Sequence, residues 1–401
     1  MRLDARKLWL SVTPVDFCRF TLNLMRVAID IRRISEFGVG TYTRNAIRTL
    51  ARLDDTTEYF LLGIPGKLGD IEPLPPNFVT VPTHPNEFSL NSYFELNRIL
   101  NHHRCDLLHV PHLFWKPQSV PCPYVVTVHD LLDHLYKVNS ASWIKRTLHF
   151  EFTQRVLHHA ARIFAVSNFS KKDTERLFHV PGDKIEVIYN AIDDRFRQGH
   201  ATDADRKLIA ERYQVTYPFL LYAGRISPHK NVIRIIEAFA ALKAELAKEG
   251  RFTDLKLIII GDELAKHPDL RRAVIKTRMQ NDVRFLGFVP IGVLRIFYDL
   301  AKVFVFPSLY EGFGLPPLEA MAHGTPVVTS NTSSIPEVVG NAAVMVNPEN
   351  VFEIMHALHR VLCDRLVREK LKARGVLQAQ QFSWDNSVRR MLEVYHEVVN
   401  G

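Results

Sequence analysis

Four ionisable side chains, set in two pairs, are best suited to chemistry in this chain. Glu311 and Glu319 have seven residues between them, an interval that opens as the glycine-bearing loop Gly312-Phe313-Gly314 and runs into a predicted helix. An ionised carboxylate only accepts hydrogen bonds, so two of them framing one loop suit a ligand rich in hydroxyls, a sugar or a ribose. Two solvated glutamates beside a surface loop are the plainer alternative. Arg225 and Lys230 form the second pair and flank the tight turn Ile226-Ser227-Pro228-His229. A planar guanidinium that grips two oxygens, with a mobile ammonium beside it, suits a diphosphate.

The elements that must position these groups follow from the neighbouring runs. Val303-Phe304-Val305-Phe306 reads as a buried strand turning at Pro307-Ser308. A short helix follows the glycine loop, with Pro316 and Pro317 at its start and Gly324 just past its end, and Pro326 to Thr329 is the next strand. In an open parallel sheet, ligands bind at the carboxyl ends of strands, where this loop lies. Free N–H groups at the helix start favour an anion, and Gly312 and Gly314 let backbone approach a ligand. Phe219 to Tyr222 is a strand ending at Gly224 and Arg225, so the cationic pair also sits at a carboxyl end. Arg26 to Ile31 is a strand followed by a loop with Gly38 and Gly40, then a helix through about Arg52. A dinucleotide fingerprint would need a third glycine where Thr43 stands. Tyr124 to His129 reads as a strand whose carboxyl end carries His129 and Asp130.

The run SLYEGFGLPPLEAMAHGTPVV, followed by SSIPEVVG, resembles the signature of family 4 of the retaining glycosyltransferases. The resemblance runs from Met25 to the C-terminus. It implies an α/β fold of GT-B type, with two Rossmann-like domains facing across a cleft and a last helix crossing back to the first. It implies transfer of a hexose from a nucleotide-diphosphate sugar to a hydroxyl acceptor in glycan or polysaccharide assembly. On that resemblance, Arg225 and Lys230 neutralise the departing diphosphate and Glu319 holds ribose hydroxyls. Glu311 and the N–H groups of Phe313, Gly314 and Leu315 hold the sugar. Gly38, Gly40 and Gly224 lie near the donor phosphates, His129 contacts the transferred sugar, and the turn after Val283–Phe288, at Val289, holds the base through backbone. No metal or other cofactor is implied, since the two cations do its work. The segments around Ser333–Gly340 and Val126–Leu131 are most similar to bacterial mannosyltransferases of surface polysaccharide assembly, which favours GDP-mannose over UDP-hexoses.

The domains expected are an extension (1–24), an acceptor domain (25–196), a donor domain (197–381) and a returning segment (382–401). Both cations of the second domain are expected to line an open cleft. Asp203-Ala204-Asp205 has the D-x-D pattern of manganese-dependent transferases, but its place between the domains makes it the start of a helix. Ser170-x-x-Asp173 is read as a capping box.

Composition narrows the class. A chain of 401 residues, 47% of them apolar, supports two cores. The net charge of +8 is spread evenly, which speaks against a nucleic-acid module and fits a phosphate-bearing ligand or an anionic membrane surface. The four cysteines, Cys18, Cys105, Cys122 and Cys363, form no C-x-x-C pair and read as reduced thiols of a cytoplasmic chain. No apolar run is long enough to span a bilayer. Residues 143–160 read as a helix with a rough apolar face and the cations Lys145, Arg146 and Arg155. In relatives with lipid-linked acceptors such a surface meets the membrane, so a peripheral contact on the cytoplasmic face is an option beside plain packing on the sheet. Two other classes share the architecture, a nucleotide-sugar epimerase and a non-catalytic binding subunit. The first needs an acid/base carboxylate pair that is not evident. The second is expected to lack one of Arg225, Lys230, Glu311 and Glu319.

Overall fold

The computed structural model describes residues 24–36, 38–84, 90–113, 120–135, 143–197 and 199–401. The extension read at 1–24, apart from Leu24, and Cys18 lie outside the described residues. Cys105, Cys122 and Cys363 are free thiols.

Among the described residues thirteen strands form two sheets, parallel throughout. The first contains β1 (Arg26–Asp30), β2 (Glu58–Gly63), β3 (Phe78–Pro82), β4 (Leu107–Val110), β5 (Tyr124–Val128), β6 (Arg162–Ala165) and β7 (Ile185–Val187) in the order β3-β2-β1-β4-β5-β6-β7. The second contains β8 (Phe219–Ala223), β9 (Lys256–Ile260), β10 (Val283–Gly287), β11 (Val303–Phe306), β12 (Val327–Ser330) and β13 (Ala343–Val346) in the order β10-β9-β8-β11-β12-β13. The central strands read as continuous apolar runs because helices cover both faces of a parallel sheet. All four residues of β11 are fully buried, and each such large apolar side chain contributes about 1.5–3 kcal/mol. In each sheet the strand order reverses once, between β1 and β4 and between β8 and β11. Such reversals open a crevice at the carboxyl ends of the flanking strands.

The helix expected after Gly40 spans Val39–Leu53, and the one expected over 143–160 spans Trp143–His159. Two helices follow the last strand, Val351–Cys363 and Arg365–Gln380, separated where Asp364 caps the second. The helix Asn168–Phe178 starts earlier than expected: Ser167 is its cap, accepting from the Ser170 N–H, and Ser170 is already inside it. Ser383 caps the last helix, Trp384–Asn400. That helix lies against the first lobe. Ser387 Oγ donates to the Tyr189 carbonyl at 2.6 Å, Arg390 pairs with Glu186 at 2.7 Å, and the Tyr395 hydroxyl meets His109 Nδ1 at 2.6 Å. His109 is thus a core histidine, bonded on its other side to Thr127.

Candidate active site

The turn after β8 and the loop after β11 flank the strand reversal of the second sheet. Lys230 closes the short turn Pro228–Lys230 and reaches across to Glu311, its Nζ lying 2.6 and 2.8 Å from the two carboxylate oxygens. The side chains are only 16% and 10% exposed, so this is a buried pair. Lys230 therefore does not line an open cleft as expected, being buried against Glu311. Arg225 is exposed and makes no side-chain ion pair or hydrogen bond among the described residues, whereas Lys230 is already compensated. Its Nζ also lies 5.3 Å from the centre of the Phe306 ring. Gly224 precedes Arg225 with a positive φ, packed near Tyr222 and Phe306.

Gly312 is glycine because the other lobe leaves no room. A Cβ there would lie 1.7 Å from the His129 carbonyl oxygen. The Gly312 carbonyl accepts from Ser167 Oγ at 2.6 Å and Ser170 Oγ at 3.1 Å. The loop thus rests on the carboxyl end of β5, bringing Glu311, Lys230, His129 and Asp130 into one place. His129 Nε2 is 2.9 Å from the Pro111 carbonyl, which makes it the donating nitrogen and leaves Nδ1 as an acceptor. Burial pushes the imidazole down to about 4, so it is neutral near pH 7. Burial first, and Glu311 nearby, hold the Asp130 carboxyl above the ordinary range.

Glu319 stands on the helix Leu315–Ala322, which begins after Gly314 in a left-handed conformation, and accepts from the Tyr298 hydroxyl at 2.8 Å. Burial lifts its carboxyl to about 7, against the lowering effect of that bond. The N–H groups of Phe313, Gly314 and Leu315 make no hydrogen bond among the described residues, while the Phe313 side chain packs against Phe382. The Val289 side chain is buried in the core, leaving only its backbone for a ligand; its neighbour Phe288 is 73% exposed at the same turn. On the first lobe, Gly38 precedes the helix Val39–Leu53 with open space around it. Gly40 instead faces inward, where a Cβ would meet the Ile34 carbonyl at 2.3 Å. Tyr42, on the first turn of that helix, meets the His129 ring edge-on at 4.8 Å.

Three positioning contacts had no signal in sequence spacing. Glu337 of the second lobe accepts from the Asn168 N–H at 2.9 Å, from Asn168 Nδ2 and the Tyr189 hydroxyl at 2.7 Å each, and from the Phe169 N–H at 3.2 Å. The Tyr310 hydroxyl donates to Asp173 at 2.9 Å. Tyr298 holds Glu319 as described. The D-x-D motif is structural: Thr202 and Asp205 cap the helix Asp203–Tyr213 reciprocally.

Two parallel-sheet α/β lobes meet at loops carrying a cationic pair, two carboxylates and a neutral histidine, and known proteins share that architecture. Residues 38–196 match the model of Glycosyltransferase Family 4, and residues 205–377 that of the group 1 glycosyl transferases. O-antigen chain mannosyltransferase B of Escherichia coli is 33% identical over 276 residues, 68% of this chain and 69% of that protein. Serotype-specific mannosyltransferase WbdA of Escherichia coli is 31% identical over 278 residues; this alignment takes in 69% of the chain but only 33% of WbdA. Among solved structures, HepE of Anabaena in complex with UDP and glucose superposes with a TM-score of 0.74 at 17% identity, covering 93% of this chain and 100% of that one. The chain belongs to the group 1 glycosyltransferases and is a glycosyltransferase of GT-B fold.

Proposed function

We propose that the protein transfers mannose from GDP-mannose, with retention, to a hydroxyl of a growing surface glycan. The observation that carries this reading is the cluster at the carboxyl end of β8, where Arg225 stands free beside the Lys230–Glu311 pair and within a lobe contact of His129. Arg225 receives the diphosphate first. Lys230 then exchanges part of its contact with Glu311 for the phosphate oxygens, which frees Glu311 to accept from sugar hydroxyls. Fixed positive charge at the departing diphosphate is worth most where negative charge develops. His129, neutral and held by Pro111, offers Nδ1 to the sugar. Glu319 takes the ribose hydroxyls, and the N–H groups of Phe313, Gly314 and Leu315 take the sugar. No side chain is placed as a nucleophile, so the leaving phosphate oxygen takes the acceptor proton on the face it departs from.

The choice of mannose is supported by the names of the two Escherichia coli relatives. A nucleotide-sugar donor is supported by the ligands in the HepE structure. Turnover without a metal is supported by the two cations and by the use of Asp205 as a cap. A lipid-linked acceptor with peripheral membrane contact on the cytoplasmic face is supported by the helix Trp143–His159. Trp143 is 74% exposed at its start, while Val156 and Leu157 pack into the core at its end. Among the described residues no helix is long and apolar enough to cross a membrane.

The test is a thermal-shift screen of GDP-mannose, UDP-glucose and UDP-galactose, followed by turnover in EDTA. GDP-mannose at a hundred times its Kd is expected to stabilise by about 2.7 kcal/mol, and activity is expected to survive the chelator. Stabilisation by a uridine donor alone would overturn the donor assignment. Activity lost in EDTA and restored by manganese would overturn the metal-free mechanism.

A further inference from the structure

The second sheet has two ends, and the proposed donor site uses only the carboxyl end. At the other, residues preceding β9, β11 and β12 (Phe252, Lys302 and Thr325) open onto a cavity of about 880 Å3. Its volume falls within the range of small-molecule sites. Six cationic side chains line it: Arg206, Arg251, Lys302, Arg365, Arg368 and Lys372. Arg365, Arg368 and Lys372 share one face of the helix Arg365–Gln380, at positions three and seven residues on from the first.

Little on the wall offsets this charge. Asp299 is the one acid among the lining residues, and it is already engaged, accepting from His200 Nδ1 and from the Ala201 N–H. Arg251 is 3.7 Å from Glu249, while Arg368 and Lys372 share Glu369 at 4.0 and 3.5 Å. Arg206, Lys302 and Arg365 are exposed and make no ion pair among the described residues. His323, also on the wall, is 94% buried, and its Nε2 has no hydrogen-bond partner. Like charges gathered around a concavity repel one another and focus a positive potential into it. Arginine forks match phosphate oxygens in pairs.

We propose that this cavity binds a phosphate-bearing anion at a site separate from the donor site, across the thickness of the second lobe. The anion sits among Arg206, Lys302 and Arg365, the three cations without an ion-pair partner, with Arg368 and Lys372 at its edge.

The test titrates the full chain with inorganic pyrophosphate at low salt by calorimetry, and measures co-sedimentation with vesicles of phosphatidylglycerol or of phosphatidylcholine. The variants are Lys302→Glu/Arg365→Glu for the cavity and Arg225→Ala for the donor site. Two pyrophosphate events are expected in the wild type. The cavity variant should weaken one of them by about a hundredfold, from two lost charge-assisted contacts, at unchanged turnover, and Arg225→Ala should remove the other. That result assigns the site to a soluble phosphate ligand. Retention on phosphatidylglycerol vesicles that the cavity variant loses assigns it to a lipid headgroup, whether or not pyrophosphate binds. The proposal is overturned if the cavity variant binds both probes as the wild type does. It is also overturned if the wild type shows only the event removed by Arg225→Ala and no vesicle retention. Should the reversal disturb the melting temperature, Arg206→Gln/Lys302→Gln/Arg365→Gln reads the same outcomes without added negative charge.

Discussion

Replacing Lys230 with alanine separates two roles that the geometry places on one atom. Nζ lies within 2.8 Å of both Glu311 oxygens, and the two side chains are 16% and 10% exposed. Removing one partner of a buried pair leaves the other charge uncompensated, which costs about 3–5 kcal/mol. The residual exposure places this case near the lower end, about 3 kcal/mol. For a lobe of this size that lowers Tm by roughly 6–12 °C. Independently, loss of a charge acting on the departing diphosphate should reduce kcat by about a hundred- to a thousandfold, or ~2.7–4 kcal/mol. The double variant Lys230→Ala/Glu311→Gln removes the stranded charge. It should therefore regain most of the melting temperature and none of the turnover. The assay is calorimetric melting beside initial rates at saturating donor. If the folded single variant turns over at the wild-type rate, Lys230 does not act on the phosphate. If the double variant melts as low as the single one, the cost does not come from an orphaned Glu311 carboxylate.

Glu319 carries a pH signature. Its carboxyl is lifted from 4.5 to about 7 by burial, so its contribution to stability is fully present below pH 4.5 and is lost as pH rises through 7. Glu319→Gln, which keeps an acceptor for Tyr298, should match the wild type in acid and exceed it by up to about 3 kcal/mol above pH 8; a stability difference that stays flat from pH 5 to 8 would show that the carboxyl is not lifted. Glu337→Ala should loosen the lobe contact, because four donors of the first lobe converge on that one carboxylate. Small-angle scattering should then show a larger radius of gyration, and an unchanged radius would mean that other contacts hold the lobes.

Strand runs and the glycine loop are legible in the sequence because each is set by neighbours along the chain. The strands β8 and β11 fall where the apolar runs place them. The helix Leu90–His103 has only a weak signal in the sequence, since its inward residues Leu96, Ile99 and Leu100 are few and polar residues interrupt them. The pattern S-x-x-D at Ser170 predicts a cap there, yet Ser167 does the capping and Asp173 answers to Tyr310 from the other lobe.

That last case shows where the physics of the site departs from its spelling. Sequence spacing placed Glu311, Glu319, Arg225 and Lys230 as ligand-facing groups, each read along its own segment. In the folded chain three of the four find partners that are distant in sequence: Lys230 and Glu311 take each other, and Glu319 takes Tyr298. Gly312 shows the same shift. Its place in the loop implies room for a ligand, and the backbone that approaches it is that of His129. A Cβ at position 312 would force the lobes apart before it met any donor. Gly312→Ala is therefore expected to act through lobe closure, raising KM and kcat defects together.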